Sequence, residues 1–255
     1  MELINVTAIV TGGAAGLGAA VVREIIATGG RAAILDLAEE SGKSLAEELG
    51  KNSIFIKCNI ADENDVIKAI DKTIEKFGNL NSVVNCAGII SAGKIAGSKG
   101  PLNLESFKKT IDINLVGTVN VIRLAADRML KNTPGEDGER GVIINTASIA
   151  AFDGQIGQCA YAASKGGIVA MTLPIARDLA DSGIRNNTIA PGIFETAMTG
   201  QMPENVKDSL VKMIPFPKRF GKSEEFAKLV LHIIENKMLN GEVIRLDAGV
   251  RMGNK

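Results

Sequence analysis

The sequence predicts an α/β protein: a single-domain doubly wound parallel sheet of about seven strands, with helices on both faces. Three observations carry this. Short apolar runs alternate with amphipathic stretches of helical length along all 255 residues, and the alternation never breaks. A glycine-rich turn follows the first apolar run directly, as between a parallel strand and its crossover helix. No linker, internal repeat or low-complexity segment divides the chain, so residues 1–255 read as one domain.

Each element has a local reason. Val6–Thr11 is apolar enough for a strand buried on both faces, and the helix after it, Leu17–Thr28, stops at Gly29-Gly30, which suits a left-handed cap. Ala32–Leu35 is the second strand, Glu39–Leu49 its helix and Ser53–Lys57 the third strand. Glu63–Lys76 is an amphipathic helix, Ser82–Val84 the fourth strand and Leu104–Leu130 one long helix. The segment from Lys94 to Asn103 reads as an insertion before that helix, with Lys94 and Lys99 in it. Asn132–Gly141 is a surface loop. Val142–Thr146, Ala160–Ala180 and Ile184–Ile189 continue the strand–helix–strand rhythm. The segment at about 193–217 holds Met198, Met202 and Met213 among other apolar residues and reads as a lid over the site. Ser223 reads as the N-cap of Glu224–Glu235, and Asn240-Gly241 turns the chain into a last strand, Glu242–Leu246. Right-handed crossovers then wind the sheet both ways.

Composition excludes several functions. Lys+Arg and Asp+Glu number 29 each, so no net charge draws the chain to nucleic acid or to an anionic membrane. One histidine, His232, rules out a metal centre built from two or three imidazoles and leaves one base for a hydrolase triad. Cys58, Cys86 and Cys159 are odd in number and far apart, which suits a reducing compartment and neither a disulfide framework nor a zinc site. The uncharged stretch 5–22 holds four glycines and is no membrane span, and the start lacks a secretory or transit signal. The chain therefore reads as a soluble cytoplasmic protein, with no metal.

Thr11-Gly12-Gly13-Ala14-Ala15-Gly16-Leu17-Gly18 lies between the first strand and its helix. Glycines let backbone amides approach a pyrophosphate, and the helix N-terminus adds positive potential. Asp36 follows Gly18 by 18 residues, at the end of the second strand. An acid there accepts from ribose hydroxyls and repels a 2′-phosphate, which favours NAD over NADP.

The single tyrosine, Tyr161, stands one helical turn before Lys165, and Ser148 emerges from the carboxyl end of the strand Val142–Thr146, at the sheet edge that also carries the glycine loop. An ammonium ~4 Å from a phenol, at an effective dielectric of ~20, is worth about 4 kcal/mol, or roughly three pKa units. Such a lysine brings a phenol toward working range for proton transfer.

In order, Thr11–Gly18, Asn85-Cys86-Ala87-Gly88, Asn114, Ser148, Tyr161, Lys165 and Pro191-Gly192 resemble the motifs of the short-chain dehydrogenase/reductase family, from end to end of the chain. The resemblance implies a Rossmann fold with Tyr161 as general acid/base, Ser148 orienting the substrate oxygen, Lys165 on the nicotinamide ribose and Asn114 holding a water in a proton relay. It implies a cofactor site of Gly12, Ala15, Gly16, Leu17, Gly18, Asp36, Asn59, Ile60, Asn85, Ala87, Gly88, Tyr161, Lys165, Pro191, Gly192, Ile193 and Thr196. Ser148, Gln158, Tyr161 and Phe194 would meet the substrate. Two positions depart from the family: Asn59 stands where an aspartate is usual, and Asn186 where a strand residue is usually apolar. Within the family, GERGVIINTAS, QCAYAASKGGIVAMTLPIARDLA, PFPKRFG and LNGEVIRLDAG resemble enzymes that interconvert 3-hydroxyacyl-CoA and 3-ketoacyl-CoA. The expected partners are a small-molecule substrate, an acyl-CoA or another apolar alcohol or ketone, and copies of the chain in a homotetramer. A hydroxysteroid dehydrogenase or a 3-ketoacyl-carrier-protein reductase is the alternative within the family, and a non-catalytic NAD-binding regulator the remote one. In an animal homologue the compartment would extend to mitochondria.

Overall fold

A computed structural model describes residues 1–98, 100–195 and 203–254. In chain order the elements are β1 (Thr7–Thr11), α1 (Gly16–Ala27), β2 (Arg31–Asp36), α2 (Glu39–Leu49), β3 (Ser53–Lys57), α3 (Glu63–Phe77) and β4 (Ser82–Asn85). A two-stranded hairpin, β5 (Ala96–Gly97) and β6 (Gly100–Pro101), fills the insertion, and Lys99 lies outside the described residues. Then come α4 (Leu104–Ile111), α5 (Gly117–Met129), β7 (Gly141–Thr146), α6 (Cys159–Ala180), β8 (Ile184–Pro191), α7 (Glu204–Lys212), α8 (Ser223–Glu235) and β9 (Val243–Leu246).

Seven strands form one sheet in the order β3-β2-β1-β4-β7-β8-β9, every neighbour parallel. The chain leaves β1 for β2 through α1, then returns past it to β4, so the order reverses between β1 and β4. Ligands bind in the crevice that such a reversal opens at the carboxyl ends of the strands. β1, β7 and β8 are buried along their whole length, which explains why they are apolar without alternation. One core lies between the sheet and α1, α2 and α8, around Val10, Ile25, Ile34, Ile144 and Phe226. The other lies beneath α3, α5 and α6, around Leu35, Ile70, Val83, Met129 and Ile143.

Sequence signals explain several boundaries. Gly29 has φ 87°, and the N–H groups of Gly29 and Gly30 donate to Ile26 O and Ile25 O, both at 3.0 Å. That pair of bonds closes α1 in the left-handed motif its glycines suggested. Ser223, in contrast, is not the cap of α8. The Glu225 carboxylate accepts from Lys222 N at 2.7 Å, while the Ser223 hydroxyl donates to Glu195 O. The expected single helix Leu104–Leu130 is interrupted by a π-turn at Asp112–Val116. The extra residue leaves the apolar rhythm almost unchanged but re-aims Asn114.

Asn186 has a physical explanation. Asn85 Nδ2 donates to Asn145 Oδ1 (2.9 Å), Asn145 Nδ2 to Asn186 Oδ1 (2.9 Å), and Asn186 Nδ2 to Thr172 O (2.8 Å). A ladder of amides thus crosses β4, β7 and β8 and ends on α6. The fully buried side chain of Asn186 is satisfied at both ends, so it costs little where an apolar residue was expected.

Candidate active site

The glycine loop has the backbone that its composition implies. Gly12 and Gly16 have φ of 62° and 53°. A Cβ on Gly12 would lie 2.8 Å from Ala87 N, and one on Gly18 would lie 2.2 Å from Gly12 O. No side chain caps α1 at Ala15, so the first-turn amides of Gly16, Leu17 and Gly18 face the crevice mouth without a side-chain acceptor. Asp36 closes the loop from the side: Oδ2 accepts from Ala14 N (3.1 Å) and Oδ1 from Ala38 N (3.0 Å). A tight, glycine-rich cradle with a carboxylate at the end of β2 fits the pyrophosphate and ribose of a dinucleotide.

The rest of the groove follows the same edge. Thr11 Oγ1 accepts from Cys86 N and Ala87 N at 3.1 and 3.2 Å, which pulls the chain after β4 alongside the loop. Asn85 is buried, and its Oδ1 has no partner. Asn59 is exposed, and its Oδ1 accepts from Ala61 N at 3.2 Å; Ile60 beside it is buried and takes Asn120 Nδ2 on its carbonyl. Pro191 ends β8, and the N–H of Gly192 donates to Leu246 O at 2.9 Å. Ile193 packs with Ile149, Ile214 and Val250. Thr196, Met198 and Met202 lie outside the described residues.

Ser148, Tyr161 and Lys165 come together at this edge. Ser148 opens a short 3₁₀ turn, Ile149–Ala151; its Oγ accepts from Ala150 N at 3.1 Å and makes a side-chain hydrogen bond with Tyr161. Lys165 is buried, its Nζ 5.9 Å from the centre of the Tyr161 ring, and it donates to Thr146 O at 2.7 Å. Burial pulls the Lys165 ammonium down to about 8, against a smaller opposing effect of Cys86. Burial likewise pushes the Tyr161 phenol above its ordinary value, and the Ser148 hydrogen bond offsets only part of this. Burial thus opposes the acidification expected from Lys165. Desolvation of the buried phenol sets the direction, and the Lys165 ammonium, spent on Thr146 O, does not reverse it.

Asn114 is buried beside this cluster. Its Nδ2 donates to Ile89 O (2.9 Å) and Ser164 Oγ (3.1 Å), and its Oδ1 accepts from Ile89 N (2.8 Å). Both side-chain donors are used, so the amide ties the segment after β4 to α6. A Cβ on Gly88 would lie 3.2 Å from Asn114 Oδ1 and 3.5 Å from Lys165 Nζ, so both atoms border the one gap that Gly88 leaves. Phe194, expected to meet the substrate, is turned into the core. It is 7% exposed and packs edge-on against Phe226, 6.4 Å between ring centres, in a slot that exists because Gly221 has no side chain. Gln158 sits at the N-terminus of α6, with Oε1 accepting from Gln155 N at 3.1 Å.

Sequence reasoning missed Ser164, Thr146 and Cys86. Ser164 Oγ accepts from Asn114 and donates to Tyr161 O at 2.8 Å, and its only signal was its place directly before Lys165. The Thr146 carbonyl has no sequence signal beyond its strand end, and the Cys86 thiol, which burial pushes up to about 11, had only its place in the Asn85–Gly88 motif.

A doubly wound sheet with a dinucleotide cradle and a Ser–Tyr–Lys cluster on one edge defines a nicotinamide-dependent oxidoreductase. The chain belongs to the short chain dehydrogenase family, whose sequence pattern matches residues 6–207. It is 51% identical over 250 residues to the 3-hydroxyacyl-CoA dehydrogenase type-2 of Bos taurus, covering 97% of this chain and 96% of that one. The Drosophila melanogaster enzyme of the same name is 50% identical over 250 residues, covering 97% and 98%. The crystal structure of 3-hydroxyacyl-CoA dehydrogenase type-2 from Mycobacterium avium superposes with a TM-score of 0.96 at 43% identity, over 100% of this chain and 99% of that one. No helix among the described residues is long and apolar enough to cross a membrane.

Proposed function

We propose that the chain interconverts 3-hydroxyacyl-CoA and 3-ketoacyl-CoA with NAD as its cofactor. The observation that carries this is the convergence of Ser148, Tyr161 and Lys165 beside a dinucleotide cradle closed by Asp36. The substrate class rests on half-identity, along nearly the whole chain, to enzymes named for that reaction. Asp36 favours NAD: its carboxylate is held in place by two backbone amides and would repel a 2′-phosphate.

Bound NAD supplies the acceptor, and NADH the donor, of a hydride at the substrate carbon. The chain's own residues handle the proton. In reduction, Tyr161 Oη gives its proton to the oxygen of the 3-keto group while Ser148 Oγ orients that oxygen. A phenol held above its ordinary pKa carries the proton throughout the neutral range, as a general acid must. In oxidation Oη takes the hydroxyl proton, and the Ser148 hydrogen bond with the Lys165 charge lowers the cost of the phenolate. Lys165, about 8, is mostly ammonium at neutral pH and so keeps that charge.

Asn114 and Gly88 shape the floor beneath Lys165, and Gln158 borders the substrate side. The segment 193–217, which includes α7, acts as the lid. The active form is a homotetramer, for which α4, α5 and α6 offer the exposed Leu104, Val119 and Leu173. Its compartment is the cytoplasm.

The test is consumption of NADH and NADPH with acetoacetyl-CoA, beside a steroid ketone and an acyl-carrier-protein substrate. The expected result is fastest turnover of the CoA ester with NADH. No turnover of the ester would overturn the substrate assignment, and a preference for NADPH would overturn the role of Asp36.

A further inference from the structure

We propose that Arg245 and Asp153 form a latch that positions Ser148 against Tyr161, tying the last strand to the loop between these two residues; the inference rests on their roles given above. Arg245 stands on β9. Its Nη2 donates to Asp153 Oδ2 (2.6 Å) and Val250 O (3.1 Å), and its Nε to Asp247 Oδ2 (2.7 Å). The guanidinium also lies 5.0 Å from the centre of the Phe152 ring. Asp153 and Arg245 are each about one-fifth exposed, so the pair is shielded as surface pairs are not.

The loop transmits the position of Asp153 to Ser148 within one turn. Asp153 N donates to Ile149 O (2.9 Å), Ala151 N to Ser148 O (3.0 Å) and Ala150 N to Ser148 Oγ (3.1 Å). On the far side, Ile156 N donates to Asn254 O (3.1 Å), and Gly157 O accepts from Gly93 N (2.8 Å). Ile149 packs with Val250 and Met252, which lie just beyond β9. The segment 148–158 is therefore held from outside by the chain after β9 and from inside by its own short turn. Arg245 is the charged group that joins the two. Arg245 and Asp153 touch no reacting atom, so they are positioning residues.

Because Tyr161 is the only tyrosine in the chain, its ultraviolet titration reads one group. Its titratable neighbour Lys165, with Nζ 5.9 Å from the ring centre, lies on α6 and is not part of the latch. The experiment compares Asp153→Ala, Asp153→Glu and the parent protein. If the latch sets the Ser148 hydrogen bond, Asp153→Ala raises the tyrosine midpoint by about one unit, the worth of one hydrogen bond to a charged group. It lowers kcat roughly tenfold to a hundredfold, the cost of misplacing an aligned group by ~1 Å. NADH affinity, read by fluorescence, stays unchanged, and Asp153→Glu restores both quantities. A folded Asp153→Ala protein with parental midpoint and kcat overturns the latch, as does parallel loss of NADH binding. If Asp153→Ala does not fold, Arg245→Lys is read in the same way, since it keeps the cation but loses the fork. Should the CoA ester prove not to be a substrate, the tyrosine midpoint still judges the latch.

Discussion

Lys165→Met should stabilise the fold at neutral pH while abolishing turnover. The ammonium is buried, and its folded-state value is about 8 against an ordinary 10.5. A base whose value is depressed on folding costs stability wherever the unfolded chain would hold the proton. That cost is full below about pH 8 and fades as pH rises toward 10.5. A gap of about 2.5 units corresponds to about 3 kcal/mol at pH 7. Against it stands the hydrogen bond to Thr146 O, whose loss costs about 1–2 kcal/mol. The variant should thus be about 1–2 kcal/mol more stable at pH 7, a rise in Tm of roughly 2–8 °C for a chain of this size. As the charge penalty fades the difference should shrink, and it should reverse between about pH 9 and 10. Denaturant unfolding of both proteins at fixed protein concentration, from pH 7 to 10.5, measures this difference while background groups cancel. A variant less stable at every pH, or a difference that does not change with pH, refutes the reasoning.

The other predictions concern single atoms. Tyr161→Phe should keep cofactor affinity and lose turnover by about 10²–10⁴-fold, measured by fluorescence titration and steady-state rates; near-parental turnover would remove Tyr161 from its role. Gly18→Ala places a methyl group 2.2 Å from Gly12 O, a backbone atom that cannot step aside, so NADH binding should fall more than about tenfold. Parental NADH affinity in that variant would show that the loop is not the cradle. Asn186→Val removes the acceptor of one Asn145 bond and the donor to Thr172 O. It should cost about 1–3 kcal/mol in denaturant unfolding, and a stabilised variant would show that the amide ladder is dispensable.

The features that could be read from the sequence are those that neighbours in the chain decide. The glycine loop, the closure of α1 at Gly29-Gly30 and the one-turn spacing of Tyr161 and Lys165 depend on φ freedom and helical period, and the structure has each of them. What was not legible depends on distant partners. Phe194 looks like a pocket residue until Gly221 opens a slot for its ring. Asn186 looks misplaced until Asn145 and Thr172 meet it across two elements. The π-turn at Asp112–Val116 spends one residue to bring Asn114 onto Ile89 and Ser164, and an apolar rhythm does not register it.

The reversed shift of Tyr161 belongs to the same class. Spacing fixes how near a lysine can come, but burial, a property of the whole fold, sets the sign of the net effect. Burial consequently favours a protonated phenol beside an ammonium whose hold on its own proton is weakened. Proton transfer at Oη is then cheapest toward the ketone. A bound group that added positive charge at this edge would favour the phenolate and penalise the ammonium together. The balance between the acid and base roles of Tyr161 is therefore set by what occupies the cradle, more than by the distance between Tyr161 and Lys165.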